Sequence, residues 1–259
     1  MKIVDSFRTI VAAIIFTHFL NVSRATWKIR NGQKVTDYSE YPFITLLYGD
    51  GICTGTLVAS DKILTASHCV CIPGSVKKAF FEYLNSSSKK RSIPIKNSTI
   101  NPMWSDECAV MQKGLEVDVV NGNDIAMITL QNSATKLFTM VKTVCLDKTF
   151  LPRLHMEVRL VGYGIDKNDH DSGILRQGYG KITRCVKPLK NNPICVGDAD
   201  SYVHQNTDSG DSGGPLLSIS KRQIGVCSGL EDNDSMGIKG KVMIFASVAR
   251  NVKFIMKHI

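Results

Sequence analysis

The stretch Ser209-Gly210-Asp211-Ser212-Gly213-Gly214-Pro215 sets one serine hydroxyl among three glycines, with an aspartate directly before it. A serine hydroxyl is a poor nucleophile unless a base takes its proton in the transition state. Charge developing on an attacked carbonyl oxygen also needs hydrogen-bond donors aimed at it. The glycines let the backbone turn sharply, so that the N–H groups of Gly210 and Ser212 can face one point. Asp211 can hold such a loop if it meets a buried cation. A single Gly-Ser pair is ordinary turn chemistry, but the whole heptapeptide is not. Because Gly210-Asp211-Ser212-Gly213-Gly214 also fits the loose Gly-x-Ser-x-Gly pattern of esterases and lipases, the order of the partner residues along the chain has to decide.

Working outward, Leu64-Thr65-Ala66-Ser67-His68-Cys69 places a histidine at the end of an apolar strand, tethered by the neighbouring cysteine. Asn123-Asp124-Ile125-Ala126-Met127-Ile128-Thr129-Leu130 places an aspartate at the mouth of another strand. A carboxylate accepting from the far ring nitrogen fixes the imidazole tautomer and stabilises the imidazolium. The three segments, in the order His68, Asp124, Ser212, resemble the trypsin/chymotrypsin family of serine peptidases. The substilisin-type and α/β-hydrolase orders are different. Tyr41-Pro42-Phe43 and Gly162-Tyr163-Gly164 add to the likeness, which runs from about Ile29 to Ile259. It implies an all-β fold, with two antiparallel six-stranded β-barrels, the active site in the cleft between them and a C-terminal α-helix. It also implies peptide-bond hydrolysis through an acyl-enzyme, with Gly210 and Ser212 as oxyanion donors and no cofactor.

The pattern of short segments agrees with an all-β reading. Runs rich in Val, Ile, Leu and Thr, separated by Gly, Asn, Asp and Ser, predict strands at Phe43 to Tyr48, Thr54 to Val58, Lys62 to Thr65 and Ile125 to Leu130. Further strands are expected at Glu157 to Val161, Gly180 to Thr183, Pro215 to Ser218 and Gln223 to Val226. Val248, Val252, Ile255 and Ile259 recur at helical spacing and predict an amphipathic helix over Ser247 to Ile259.

The first residues read as a targeting segment. Lys2 and Arg8 precede an apolar run from Ile10 to Leu20, and Ser23-Arg24-Ala25 supplies small residues at both positions of a signal-peptidase site. Residues 1–25 are therefore expected to be a signal peptide and residues 26–28 a short activation propeptide. The peptidase domain then spans 29–259, and the product is secreted. The resemblance implies a cut after Lys28, which frees the Ile29 ammonium to pair with Asp211. Ile29-Arg30-Asn31-Gly32 departs from the family's Ile-Val-Gly-Gly at two positions.

Eight cysteines in a secreted chain read as disulfides, and no Cys-x-x-Cys or His-x-x-x-His pair suggests zinc. The resemblance implies Cys53–Cys69 and Cys185–Cys195, and we expect Cys71–Cys108 as an added bridge. Cys145 and Cys227 either pair or stay free. The family bridge near Gly162 is missing at both ends, where Val158 and Ser218 stand. In the substrate pocket the resemblance puts Asn206 at the base, Asp208 where a cysteine is usual, Ser228 on the wall holding substrate backbone, and Met243 where glycine is common. These residues suggest polar or apolar side chains of moderate size at the cleavage point.

Hydrophobic residues make up 43% of the 259-residue chain and charged residues 21%, values that exclude disorder. The formal charge is +9, of which the first 28 residues carry +3, leaving +6. Nothing interleaves aromatics with basic residues as nucleic-acid binding needs. The segment Ile72 to Ile95 holds one acidic residue, Glu82, and is too poor in carboxylates for calcium. Asn85, Asn97 and Asn233 begin glycosylation sequons. Expected partners are protein or peptide substrates and protein inhibitors, with the chain a monomer that spans no membrane. The alternative is a catalytically idle homologue acting as a binding or regulatory protein.

Overall fold

A computed structural model of the chain describes residues 32–85, 88, 91–115, 117, 121–164, 173–198, 205–232 and 241–259. The expected signal peptide, the propeptide, Lys28, Ile29 and Asn233 lie outside the described residues.

Two closed antiparallel barrels of six strands each make up the body. The first is ordered β2-β3-β4-β7-β6-β5, from Ile44–Gly49 (β2), Ile52–Ala59 (β3), Lys62–Thr65 (β4), Val76–Phe80 (β5), Ser92–Ile100 (β6) and Ala126–Leu130 (β7). The second contains Glu157–Gly162 (β8), Arg176–Thr183 (β9), Ile194–Asp198 (β10), Pro215–Ser218 (β11), Gln223–Asp232 (β12) and Lys241–Ser247 (β13). Its order is β8-β9-β10-β13-β12-β11, closed by the β11–β8 ladder. A two-residue strand, β1 (Gln33–Lys34), adds to β9. Closure removes the free sheet edges that an open sheet would present.

Each barrel interior is filled by β-branched, aliphatic and aromatic side chains that the strands turn inward. Leu47, Leu57, Ile63, Ile93 and Ile128 fill the first, and Val158, Leu160, Val196, Leu216, Ile224 and Phe245 fill the second. Each side chain of this size removed from water stabilises the fold by about 1.5–3 kcal/mol. Val158 faces Ser218 directly across the β11–β8 ladder, so the two positions that lack the family's cysteines are partners.

The expected strands are all present: β4 and β11 keep the expected bounds, β2 is shifted by one residue, β7 and β8 differ by one residue at an end, and β3, β9 and β12 run three to six residues longer. β5 and β6 are not among the strands expected from the sequence. Their exposed faces carry Lys77, Lys78, Lys96 and Asn97, which hide the strand pattern. The C-terminal helix is shorter than expected, Val252–His258. Ile255 is its buried anchor, Val248 is buried just before it, and Ile259 is exposed. Of the other sequons, Asn97 is exposed on β6 and Asn85 is half-buried. Among the described residues no helix is long and apolar enough to cross a membrane.

Candidate active site

The site is assembled where the ends of β4, β7 and β12 meet the loop before β11. His68 lies in the short helix Ser67–Val70 that follows β4. Ser67 Oγ donates to the Ile125 carbonyl at 2.8 Å and so ties that helix to the start of β7. The His68 backbone N–H donates to Asp124 Oδ1 at 3.0 Å, and His68 Nδ1 lies 2.7 Å from Asp124 Oδ2. Ser228 Oγ also donates to Asp124 Oδ2, at 2.7 Å. Asp124 is fully buried, so its charge is held by these bonds rather than by water. Burial works against protonation of the His68 ring, but the charge and hydrogen bond of Asp124 outweigh it and raise the pKa above its ordinary value.

Asparagine amides fix the segment that leads into Asp124. Asn251 Nδ2 donates to the Gly122 carbonyl at 2.8 Å, and Asn101 Nδ2 donates to Asn251 Oδ1 at 2.8 Å. Asn191 Nδ2 donates to Asn123 Oδ1 at 2.7 Å. Asn251 directly precedes the C-terminal helix, so both barrels and the helix converge on this short segment.

Ser212 lies between Asp211 and a tight turn. Its carbonyl accepts the Thr54 N–H at 2.8 Å, which joins the second barrel's loop to β3 of the first. Cys53 and Cys69 form a disulfide. The Cys69 sulfur lies 3.9 Å from His68 Nε2 and 3.6 Å from the Ser212 carbonyl oxygen. One sulfur atom therefore touches both the free ring nitrogen and the serine. The loop is also held by Gly213 N–H to the Cys227 carbonyl and Cys227 N–H to the Gly214 carbonyl, each 2.8 Å. Gly210 has φ +99°, a conformation that side-chain-bearing residues avoid.

Asp211 is buried and accepts the Gly164 N–H at 2.8 Å and the Asp208 N–H at 3.0 Å. A Cβ at Gly164 would overlap its carboxylate, which explains the small residue there. Burial pushes the Asp211 pKa up to about 6, although the two backbone donors and the Arg176 charge oppose the rise.

The expected pocket residues are distributed unevenly. Asn206 is buried, and its Oδ1 has no hydrogen-bond partner among the described residues. Asp208 turns its Oδ1 to the neighbouring Ser209 N–H, at 2.8 Å. Met243 is fully buried against Cys227 and Phe245, and its sulfur accepts the Thr207 N–H at 3.4 Å. The hydroxyl of Ser228 engages Asp124, a role the sequence did not suggest.

Cys71–Cys108 and Cys185–Cys195 are the other two disulfides. Cys145 and Cys227 are not joined: Cys145 is exposed and receives Arg222 Nη1 at 3.0 Å, while Cys227 is buried. Burial pushes the Cys227 thiol well up. Sulfur and ring-nitrogen atoms of Cys53, His68 and Cys69 lie within 4.8 Å of one another, but both sulfurs belong to a disulfide and offer no thiolate to a metal.

The sequence profile of the family described as Trypsin matches residues 29–255. The chain belongs to the trypsin family. This trypsin-family chain is 33% identical to the cercarial protease of Schistosoma mansoni, over 98% of its own length and 99% of that protein. It is 24% identical to duodenase-1 of Bos taurus, over 92% and 94% of the two chains. Among solved structures, human heparin binding protein superposes with a TM-score of 0.66 at 19% identity, over 87% of this chain and 94% of that one. Neuropsin, a serine protease expressed in the limbic system of mouse brain, superposes with a TM-score of 0.66 at 23% identity, over 85% and 96%. These two share the barrel fold. Family and relatives together make the chain a serine endopeptidase.

Proposed function

We propose that the chain is a secreted serine endopeptidase, made as a zymogen, whose chemistry is carried by His68, Asp124 and Ser212. The observation that supports this most is the buried Asp124 carboxylate on His68 Nδ1, with Nε2 and the Ser212 carbonyl both in contact with the Cys69 sulfur.

In the proposed reaction Ser212 Oγ attacks the scissile carbonyl carbon while His68 Nε2 takes the hydroxyl proton. Asp124 holds the ring so that Nε2 is the free base, and it stabilises the imidazolium that forms. The carbonyl π electrons move onto oxygen, where the N–H groups of Gly210 and Ser212 receive the charge. The tetrahedral adduct collapses as His68 returns the proton to the leaving amine, and an ester to Ser212 remains. Water, deprotonated by His68, then releases the acid and regenerates the hydroxyl.

Activation follows from Asp211. A buried carboxylate with a pKa near 6 is an energetic liability that a cation relieves. Cleavage after Lys28 supplies that cation as the Ile29 ammonium. Pairing with Asp211 then orders the neighbouring Gly210 and Ser212 donors.

Selectivity follows the pocket. With a neutral Asn206 and a buried Met243 in place of an acid and a small residue, the preferred residue before the cut is polar or apolar and moderate in size. The substrates are proteins or peptides, the product is monomeric, and Asn85, Asn97 and Asn233 are glycan acceptors.

The test is turnover of a peptide library before and after the Lys28 cut, in the natural chain and in Ser212→Ala. The proposal expects activity after the cut and a fall in kcat on the order of 10⁴ or more in the variant. Unchanged turnover in the variant would rule the mechanism out. An inert cut chain would favour a binding role instead.

A further inference from the structure

Thr54, on β3 of the first barrel, spends all of its polar groups on the site. The Tyr163 N–H donates to Thr54 Oγ1 at 3.1 Å, and that hydroxyl donates to the Gly210 carbonyl at 2.8 Å. Because the oxygen already accepts from Tyr163, its single proton is directed to Gly210. The Thr54 N–H donates to the Ser212 carbonyl at 2.8 Å. The Thr54 carbonyl accepts Thr65 Oγ1 at 2.9 Å, three residues before His68. Thr54 is fully buried, so water cannot replace any of these partners.

The two carbonyls held by Thr54 flank Asp211. Fixing the Gly210 carbonyl sets the plane of the Gly210–Asp211 peptide, and fixing the Ser212 carbonyl sets the plane of the Ser212–Gly213 peptide. The N–H groups of Gly210 and Ser212 adjoin these planes and lose most of their freedom to turn away. Gly210, at φ +99°, is a residue at which a peptide turns over with little steric resistance, so an external hold there has the largest effect. The same hydroxyl holds the Tyr163 N–H, next to the Gly164 N–H that binds the Asp211 carboxylate.

We propose that Thr54 is a positioning residue that pre-orders the Gly210 and Ser212 N–H donors for the transition state from the opposite barrel, its hydroxyl acting on the Gly210 side and its backbone N–H on the Ser212 side. The inference rests on the reading of those two groups as the oxyanion donors. It concerns preorganisation rather than contact with substrate, so its signature is in kcat and not in KM.

The experiment compares Thr54→Val, which keeps the shape and loses the hydroxyl, with Thr54→Ser, which keeps the hydroxyl. Kinetic constants and the inhibition constant of a peptide boronic acid, a mimic of the tetrahedral adduct, are measured on the cut chain. The expected result for Thr54→Val is a kcat lower by about 10- to 100-fold, with KM within about twofold. Boronate affinity should weaken by the same factor, and Thr54→Ser should restore both. If Thr54→Val does not fold, Thr54→Ala against Thr54→Ser isolates the same oxygen. Equal kcat and equal boronate affinity with and without the hydroxyl would overturn the inference alone, provided a fluorophosphonate still labels Ser212. No labelling of the natural chain would overturn the inference together with the reading beneath it.

Discussion

Ser228 Oγ donates to Asp124 Oδ2 at 2.7 Å, on the same carboxylate oxygen that meets His68 Nδ1. Hydrogen bonds to a buried charge are worth about 1.5–3 kcal/mol, more than neutral ones. Ser228 therefore shares in holding Asp124 against the imidazole. It also draws off part of the charge that His68 would otherwise feel.

Removing that hydroxyl has a signed consequence. In Ser228→Ala the Asp124 charge falls more fully on His68, whose pKa already stands above its ordinary value because of Asp124. The rising limb of the pH–rate profile should move to higher pH, and kcat at neutral pH should fall about 10-fold. A pH–rate titration checks this. A limb that stays in place, or moves to lower pH, would contradict the role given to Ser228.

In the proposed activation, Asp211 couples the Lys28 cut to stability. Its pKa in the fold is about 6 against an ordinary 3.8, so the fold holds this proton more tightly than the unfolded chain does. The stability contributed by the group is complete below about pH 4 and is lost as pH rises through about 6, by at most about 3 kcal/mol. A paired ammonium favours the ionised form and offsets that loss. Thermal unfolding of the Ser212→Ala chain, cut and uncut after Lys28, is the measurement. The difference in Tm between the two forms should widen between pH 4 and 7. A constant difference would count against the Ile29–Asp211 pair.

The two free thiols should behave differently. Cys145 is exposed beside a guanidinium, and Cys227 is buried with its thiol pushed up in pKa. A disulfide-exchange reagent should titrate one thiol rapidly in the native protein and a second only after unfolding. Two rapid thiols, or none, would contradict the placement.

The proposed triad residues could be picked out because each lies in a contiguous string whose residue types only make chemical sense together: the glycines around Ser212, the cysteine after His68, the apolar strand after Asp124. The Ser228–Asp124 bond joins residues 104 apart, and no local pattern marks it. Thr54 was visible only as the first residue of an expected strand, and its hydroxyl acts on the loop of the other barrel. The fates of Cys145 and Cys227 depended on which barrel face each strand residue takes, a fact of register rather than of spacing. β5 and β6 were obscured because a barrel strand can carry lysines on its wet face, as here with Pro94 within β6, and still pair.

The most direct test of the account is the rate at which a fluorophosphonate labels the cut chain, followed against pH with the adduct mapped by mass. The account predicts one adduct, on Ser212. Its rate should climb as His68 loses its proton above the ordinary value of 6.5 and should collapse in His68→Ala. Absence of an adduct, or labelling of Ser212 at the same rate without His68, would contradict it.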